Sequence, residues 1–397
     1  MIGKQDILDR AAEWRLRPDM VEKDYVLGWL LTAIGTHPGT STSWVFKGGT
    51  CLKKCYVETY RFSEDLDFTL RPNAVYDEVG LREILRGIAA EAQNASGITF
   101  FPDDLILRAR QNRRGQQTWE ARFGYRGPLA TPGQPKVRFD LTEHEEIVLA
   151  SERRGIFHPY PDDLPPGAGV ACYALDEVVA EKTRALVDRT RPRDLYDVVL
   201  ILENHAPDLN LPQVREVFVR KCRAKNISVL SSAELIRLVR SSDELKAEWG
   251  NMLAHQLPAL PEVAVLLERL PTALHWLDAA PAAAPAPPRA RLASASAGAG
   301  ATPPLEAPRS SRYWGLGQPI ETIRFAGANR LMVSFTYHGT PRIVEPYSLR
   351  RPDTDNLLLY GWEVASSHIK AFKVLEMSGV QVTHHSFRPR YRVEFAA

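Results

Sequence analysis

Apolar residues recur three or four positions apart through most of the segment between residues 175 and 277, which is the spacing of amphipathic helices. Pro, Asn and Ser residues interrupt the pattern and mark helix ends. The pattern predicts helices at Leu175–Arg189, Asp194–Asn204, Pro212–Ala224, Ser232–Met252 and Pro261–Leu277. Together these helices would form one helical lobe.

The segment from Val21 to Leu149 mixes helical and strand-like patterns. Apolar runs at 43–49 and 65–70 predict two strands on either side of a short helix that begins near Thr50. Longer helices are predicted at 21–35 and 79–92, and a later strand ends in KVRFDLT. This order predicts an α+β fold around a small mixed sheet.

The composition changes after the helical lobe. Residues Ala279–Arg312 are rich in Ala, Pro, Ser and Gly and contain little to bury, which is typical of a linker. Short β-type runs with turn residues between them follow, so a small β-barrel-like domain is expected. The predicted organisation is a sheet domain at 1–165, the helical lobe at 166–278, the linker at 279–312 and the β-rich domain at 313–397.

Bulk properties exclude several classes of protein. The formal net charge of +2 over 397 residues gives a weak overall field, so a nucleic-acid contact would need local basic clusters. No apolar run approaches the roughly 20 residues of a membrane span, and the polar start MIGKQDILDR lacks a signal peptide's apolar segment. A cytoplasmic chain without a membrane partner is expected. The four irregularly spaced cysteines favour reduced, packed thiols over a disulfide frame or a structural metal site.

The strand DLDFTL places two carboxylates on one face. Side chains alternate along a strand, so Asp65 and Asp67 point one way while Leu66 and Phe68 point toward a core. Two close carboxylates repel each other, and a Mg²⁺ pair or a Mg²⁺–nucleotide complex would supply the compensating charge. A solvent-facing strand edge is the alternative. Asp140, in KVRFDLT, either completes a carboxylate trio or is a strand-end residue.

A glycine pair precedes the carboxylate strand. Gly48 and Gly49 follow the apolar WVF and open a helix, where their N–H groups could approach a phosphate without a Cβ in the way. A tight strand-to-helix turn is the alternative. The order of strand, Gly-Gly-Thr, helix and RFSEDLDF strand favours a phosphate site.

The motif order resembles the AbiEii/AbiGii toxin family of nucleotidyltransferases, found in type IV toxin–antitoxin and abortive-infection systems. The resemblance runs from VEKDYVL through KGGT and RFSEDLDF to EKTRALVDRTRPRDLYDVV, about Val21 to Leu202. It implies a nucleotidyltransferase fold related to DNA polymerase β. The triphosphate would be held by Lys47, Gly48, Gly49, Thr50 and Ser63, and Mg²⁺ or Mn²⁺ by Asp65, Asp67 and Asp140.

The resemblance also assigns residues in the helical lobe. Lys182 lies near the inward face of its helix, where a lysine ordinarily extends its amine to solvent, but the family motif makes it the cation that steadies the triphosphate. Asp194 would be an active-site group, with Asp197 second and Arg193 anchoring one of them. Helix capping is the alternative for Asp194.

Two further segments are candidates for binding. A predicted basic hairpin carries candidate RNA contacts, although a solvated charged face explains them equally well: Arg108, Arg110, Arg113 and Arg114. The C-terminal segment resembles the WYL domain, a small β-barrel sensor of ligands or nucleic acids, through Tyr337, Arg342, Glu345, Pro346 and Tyr347. The Trp-Tyr-Leu tripeptide itself is not intact, and LLLY stands near its place.

These features predict a Mg²⁺-dependent nucleotidyltransferase toxin that moves NMP from an NTP to an acceptor hydroxyl. The family implies an RNA acceptor, the 3′ end of tRNA, and a cognate antitoxin in a phage-defence or toxin–antitoxin system. A noncatalytic regulator that senses a ligand through the WYL-like domain is the alternative. A metal-dependent glycosyltransferase would leave Gly-Gly-Thr and Lys182 unexplained.

Overall fold

A computed structural model describes residues 1–58, 61–72, 76–111, 117–278, 319–350 and 357–395. Arg113, Arg114 and the whole predicted linker, 279–312, lie outside the described residues. No described helix combines the length and the apolar character that a bilayer span requires.

The first part of the chain forms a seven-stranded mixed sheet in the order β3-β4-β5-β2-β1-β7-β6. Its strands are β1 (Trp44–Lys47), β2 (Asp65–Leu70), β3 (Thr99–Gln111), β4 (Gln117–Arg126), β5 (Lys136–Thr142), β6 (Glu152–Gly155) and β7 (Gly169–Cys172). The central strand β2 pairs antiparallel with β1 and parallel with β5. The predicted α+β class is therefore confirmed.

Helices cover one face of this sheet. They are α1 (Lys4–Trp14), α2 (Pro18–Thr36), the short α3 (Gly48–Cys51) and α4 (Glu78–Ser96). Leu66 and Phe68 of β2 are fully buried on the covered side, whereas Asp65 and Asp67 are partly exposed on the other. The alternation over residues 65–68 thus separates a core face from a charged face.

The helical lobe contains α5 (Leu175–Arg189), α6 (Pro192–Asn204), α7 (Leu211–Ala224), α8 (Ser232–Ser241), α9 (Asp243–Leu253) and α10 (Val263–Leu274). The prediction of one helix over Ser232–Met252 is wrong, because the chain breaks at Ser242. The Ser242 hydroxyl accepts a hydrogen bond from the Leu245 amide and caps α9. The lobe otherwise follows the predicted pattern, and α5 has the predicted bounds.

The C-terminal part consists of α11 (Ile320–Ala328) and a five-stranded antiparallel sheet in the order β11-β10-β9-β8-β12. Its strands are β8 (Leu331–Tyr337), β9 (Thr340–Arg350), β10 (Leu358–Glu363), β11 (His368–Lys373) and β12 (Met377–Ser386). The predicted β-rich domain is therefore present. Its resemblance to the WYL domain stays a prediction.

Side chains join this C-terminal part to the rest of the molecule. The Tyr196 hydroxyl of α6 hydrogen-bonds Asn329 Oδ1 at 2.7 Å, and Asn204 donates to the Ala328 carbonyl at 3.0 Å. Within α11, Arg324 forms a 2.8 Å ion pair with Glu58. The C-terminal helix therefore contacts both the helical lobe and the region just before β2.

Candidate active site

One row of charged residues crosses the face of the sheet that points away from α1, α2 and α4. Lys47 of β1 lies opposite Asp67 of β2, and Asp67 lies opposite Asp140 of β5. The row continues through Glu120 of β4 to Arg108 of β3. Residues at one register position share a face, so the three strands that carry Lys47, Asp67 and Asp140 present these groups side by side.

The glycine pair lies directly against Asp67. Gly48 has a φ of +80°, and a Cβ at this position would lie 2.3 Å from Asp67 Oδ2. A Cβ on Gly49 would lie 2.5 Å from Arg61 Nη2 and 3.1 Å from Ser63 Oγ. Both close approaches require glycine. The glycine pair and the carboxylate strand, which are separated by a helix along the chain, are therefore in contact in the fold.

The short helix begins two residues earlier than predicted. Gly48 is its first residue, whereas the sequence placed the start near Thr50. The Thr50 hydroxyl donates to the Asp65 carbonyl at 2.5 Å, which ties this helix to β2. Thr50 is fully buried, so its side chain serves that contact rather than facing the open side of the sheet.

A cleft of about 310 Å³ lies between this face of the sheet and the helical lobe. Of the residues predicted for the site, it is lined by Lys47, Gly48, Gly49, Asp67 and Lys182. Asp65 and Asp140 flank Asp67 on the same face of the sheet but do not line the described cleft. The other predicted site residues that do not line it are Thr50, Ser63 and Asp194. The structure therefore brings the glycine pair, one carboxylate and the lysine of α5 into one cavity.

The carboxylates on the sheet are held in an environment that disfavours their charge. Burial raises the pKa of Asp67 to about 6, against attraction from Lys47, with Asp140 and Asp65 adding repulsion. Burial also raises the pKa of Asp140, although Arg138 opposes it from 3.2 Å. This part of the sheet therefore favours an additional positive charge.

The carboxylates of α6 are fully paired with cations. Asp197 receives two hydrogen bonds from Arg61, at 2.7 and 2.8 Å, and lies 2.8 Å from Lys182 Nζ. Asp194 lies 3.3 Å from Lys182 Nζ and 2.7 Å from Arg189 Nε. Burial opposes ionisation of both groups, but these cations lower the pKa of each.

This arrangement fixes Lys182 at the wall of the cleft. Burial disfavours its charged form, but Asp197 and Asp194 outweigh that effect and raise the pKa of its amine. Lys182 is therefore a permanent cation, and Asp194 lies behind it, with no exposed surface. The anchoring guanidinium groups are those of Arg61 and Arg189, whereas the predicted anchor Arg193 donates to the Met252 carbonyl at 3.3 Å.

Comparison with known proteins identifies the family. The model of the family described as nucleotidyl transferase AbiEii toxin, type IV TA system, matches residues 29–279, well over half of the chain. The chain belongs to the AbiEii nucleotidyltransferase toxin family. It is therefore a transferase of a toxin–antitoxin family, and the matched region contains the whole cleft and ends before the C-terminal sheet.

A solved structure is similar to this AbiEii member. It is MenT4, a nucleotidyltransferase toxin from Mycobacterium tuberculosis H37Rv, with 20% sequence identity over 70% of this chain and 90% of that chain, at a TM-score of 0.42. No curated protein matches the sequence.

Several residues that line the cleft of this AbiEii member were not predicted from the sequence. Glu145 pairs with Lys47 and lies 3.5 Å from Lys225, which directly follows α7, and Glu181 lies 3.9 Å from Lys47. Tyr173 adds a ring beneath Lys47 and Lys221. Glu181 directly precedes Lys182 in a motif that the sequence singled out, so its position on α5 was a usable signal. Glu145 could not be predicted in this way, because it lies in a loop without a helical or strand-like pattern.

The basic hairpin of this AbiEii member is formed by β3 and β4. Arg108 and Arg110 are both exposed on β3, and Arg110 forms a 2.6 Å ion pair with Glu120 of β4. Glu120 also lies 3.4 Å from Arg122 and 3.9 Å from Arg138. The arginines thus extend the charged row away from Asp140, on the same face as the carboxylates.

Proposed function

We propose that this AbiEii member transfers an NMP from an NTP to the 3′-terminal hydroxyl of a tRNA and releases pyrophosphate. Family membership supports nucleotidyl transfer. The observation that carries the proposal is the contact between Gly48 and Asp67 in a cleft that Lys182 also lines. A phosphate cradle, a carboxylate and a fixed cation in one cavity are the parts that phosphoryl transfer uses.

The triphosphate would lie along the glycine pair. Gly48 and Gly49 offer backbone N–H groups without a Cβ, and Lys182 supplies a point charge from the opposite wall. Lys47 already pairs with Glu145, so a bound phosphate would compete with that carboxylate for the Lys47 amine. Thr50 and Ser63 would hold the glycine segment in place from behind.

The donor set fits a hard divalent cation. Asp65, Asp67 and Asp140 are oxygen ligands on neighbouring strands, and the raised pKa of Asp67 and Asp140 shows charge that lacks full compensation. These three residues would hold Mg²⁺ or Mn²⁺. Such an ion would neutralise the phosphate oxygens and favour ionisation of the acceptor hydroxyl.

The acceptor would extend over the arginines of β3 and β4. Arg108 and Arg110 continue the charged face beyond Asp140, and arginine binds phosphate through paired N–H groups. An RNA backbone lying on this hairpin would direct its 3′ end toward Asp67. The choice of tRNA as the RNA rests on the family resemblance.

The proposal also includes an antitoxin and a regulatory role for the C-terminal sheet. Toxin–antitoxin family membership suggests a cognate antitoxin. The C-terminal sheet would act as a WYL-like sensor, supported by the buried Glu345, which accepts a hydrogen bond from Tyr347 at 2.8 Å within the predicted motif.

The test offers labelled NTPs and labelled UDP-sugars, with total tRNA and Mg²⁺, to the wild-type chain and to Asp65→Asn and Asp67→Asn variants. Label from an NTP should enter tRNA, and each substitution should reduce the rate on the order of 10²–10³-fold. The matched control is Asp103→Asn, because Asp103 is 96% exposed on β3 of the same sheet.

Each alternative gives a different result in that assay. Transfer of sugar would identify a glycosyltransferase. A noncatalytic regulator would incorporate no label from either donor. Incorporation that survives both the Asp65→Asn and the Asp67→Asn substitution would refute the assigned site.

A further inference from the structure

Three of the four cysteines meet in the core, beside the short helix that begins with Gly48 and Gly49. Cys51 is the last residue of α3, Cys55 lies in the following helical segment, and Cys172 ends β7. Their Sγ atoms all lie within 4.8 Å of one another, and all three side chains are buried. The fourth cysteine, Cys222, is buried elsewhere, in α7 of the helical lobe.

Two features of the fold assemble this cluster. The segment Leu52–Tyr56 is a π-helix, a rare conformation that occurs frequently at functional sites. It carries Cys55 just after Cys51. Strand β7 pairs parallel with β1 at Phe46 and Cys172, which brings the third thiol from more than a hundred residues away. Local sequence spacing therefore could not reveal the cluster.

The separation of the sulfur atoms suits a single ion. A metal bound about 2.3 Å from each of three thiolates in tetrahedral directions holds the sulfurs about 3.8 Å apart and leaves a fourth position for another ligand. Sulfur atoms no more than 4.8 Å apart need only small side-chain rotations to reach that arrangement. Thiolates bind soft and borderline ions in preference to Mg²⁺.

Positive charge lies close to the cluster. Arg154 donates to the Cys55 carbonyl at 3.4 Å. Three thiolates with one divalent ion carry a net charge of −1, which Arg154 would offset.

We propose that Cys51, Cys55 and Cys172 bind one thiophilic metal ion, such as zinc, and that this ion braces α3 against β7. Binding replaces the thiol protons with three metal–sulfur bonds and involves no change of oxidation state. The ion lies outside the acidic cleft and is distinct from any ion at Asp65 and Asp67. Because α3 begins with Gly48, the bound ion would hold the glycine pair in position.

The sequence favoured a different interpretation, in which the thiols are packed as small hydrophobic groups. That interpretation predicts a metal-free chain with four free thiols. A disulfide between two of the three cysteines would instead leave two free thiols and no metal. The three states therefore differ in metal content and thiol count, both of which are measurable without an activity assay.

The experiment measures zinc per chain by elemental analysis of the full-length protein, expressed with added zinc and purified anaerobically. The wild type should contain about one zinc per chain, and Cys172→Ser should lose most of it. Cys222→Ser is the matched control and should keep the zinc. Asp65→Asn should also keep it, which separates this ion from one in the acidic cleft.

A second measurement covers the case in which Cys172→Ser fails to fold. Co²⁺ supplied during expression of the wild type and the Cys222→Ser variant should give the intense near-ultraviolet absorption of thiolate-to-cobalt charge transfer. Titration of the thiols with an organomercurial should release the metal. Four free thiols without metal, a disulfide, or zinc that disappears in Asp65→Asn would each overturn the proposal.

Discussion

The carboxylates on the two sides of the cleft differ in how their charge is balanced. On α6, Asp194 and Asp197 have no exposed surface, yet bound cations lower the pKa of both. On the sheet, Asp67 and Asp140 are partly exposed, yet burial and repulsion from neighbouring carboxylates raise the pKa of both. The more deeply buried set is thus the more readily ionised.

This difference separates two tasks. The α6 carboxylates have found their counter-charges within the fold, so they stabilise the position of Lys182 and Arg61. The sheet carboxylates retain negative charge that the described residues do not fully neutralise, which costs stability and provides a place for a cation. Substitutions on the two sides should therefore change stability in opposite directions.

The largest effect is expected for Asp197→Asn. It removes the charge that Arg61 and Lys182 share, and leaves two cations with one fewer counter-charge in the interior. Breaking such a pair from one side costs about 3–5 kcal/mol of unfolding free energy. Urea denaturation monitored by circular dichroism would measure the loss.

The control for this prediction is Asp188→Asn on α5. Asp188 is 40% exposed and lies 3.6 Å from Arg184, one helical turn away. A surface pair of this kind contributes less than about 1 kcal/mol. Equal losses for the two variants would show that burial of the Asp197 pair has no special role.

The second prediction is that Asp67→Asn stabilises the fold, by up to about 3 kcal/mol near pH 8. The pKa of Asp67 rises from 3.8 to about 6 on folding, so its ionised form costs free energy above that pH. The gain should shrink as the pH falls through about 6 and vanish below about 4, where the group is protonated in both states. Urea denaturation across this range would measure it, and a gain that grows on acidification would contradict the assignment.

The smallest effect concerns a divalent ion. Mg²⁺ at ten times its dissociation constant should raise the unfolding free energy of the wild type by about 1.4 kcal/mol. Asp67→Asn should lose this response, and Asp103→Asn should keep it. Thermal unfolding with and without EDTA would measure the response, and equal responses in all three proteins would place the ion elsewhere.

The sequence predicted the structure correctly where the spacing of nearby residues determines which face of an element a side chain occupies. Alternation placed Leu66 in the core and Asp67 on the opposite face, and helical spacing gave α5 its bounds. The glycine pair predicted a close backbone approach, and the structure places Asp67 at that point. Each of these features depends on residues within a few positions of one another.

Contacts between distant segments were not predictable in this way. Arg61 and Asp197 are 136 residues apart, and Lys47 and Glu145 are 98 apart, so no period links them. The same reason explains why the cysteine cluster was missed, since Cys172 reaches it only through the pairing of β7 with β1. The break at Ser242 was missed because serine is also tolerated inside helices.

Every residue of α11 is buried, although the helix follows the region that the family model covers. Its Arg324 holds Glu58, three positions before Arg61, and Thr322 donates to the Glu13 carbonyl of α1. A gene shortened to the family-matched region would leave these partners facing water. The C-terminal part is therefore packed into the enzyme as a structural element. Recombination that replaces it would have to preserve the surface on which α11 packs.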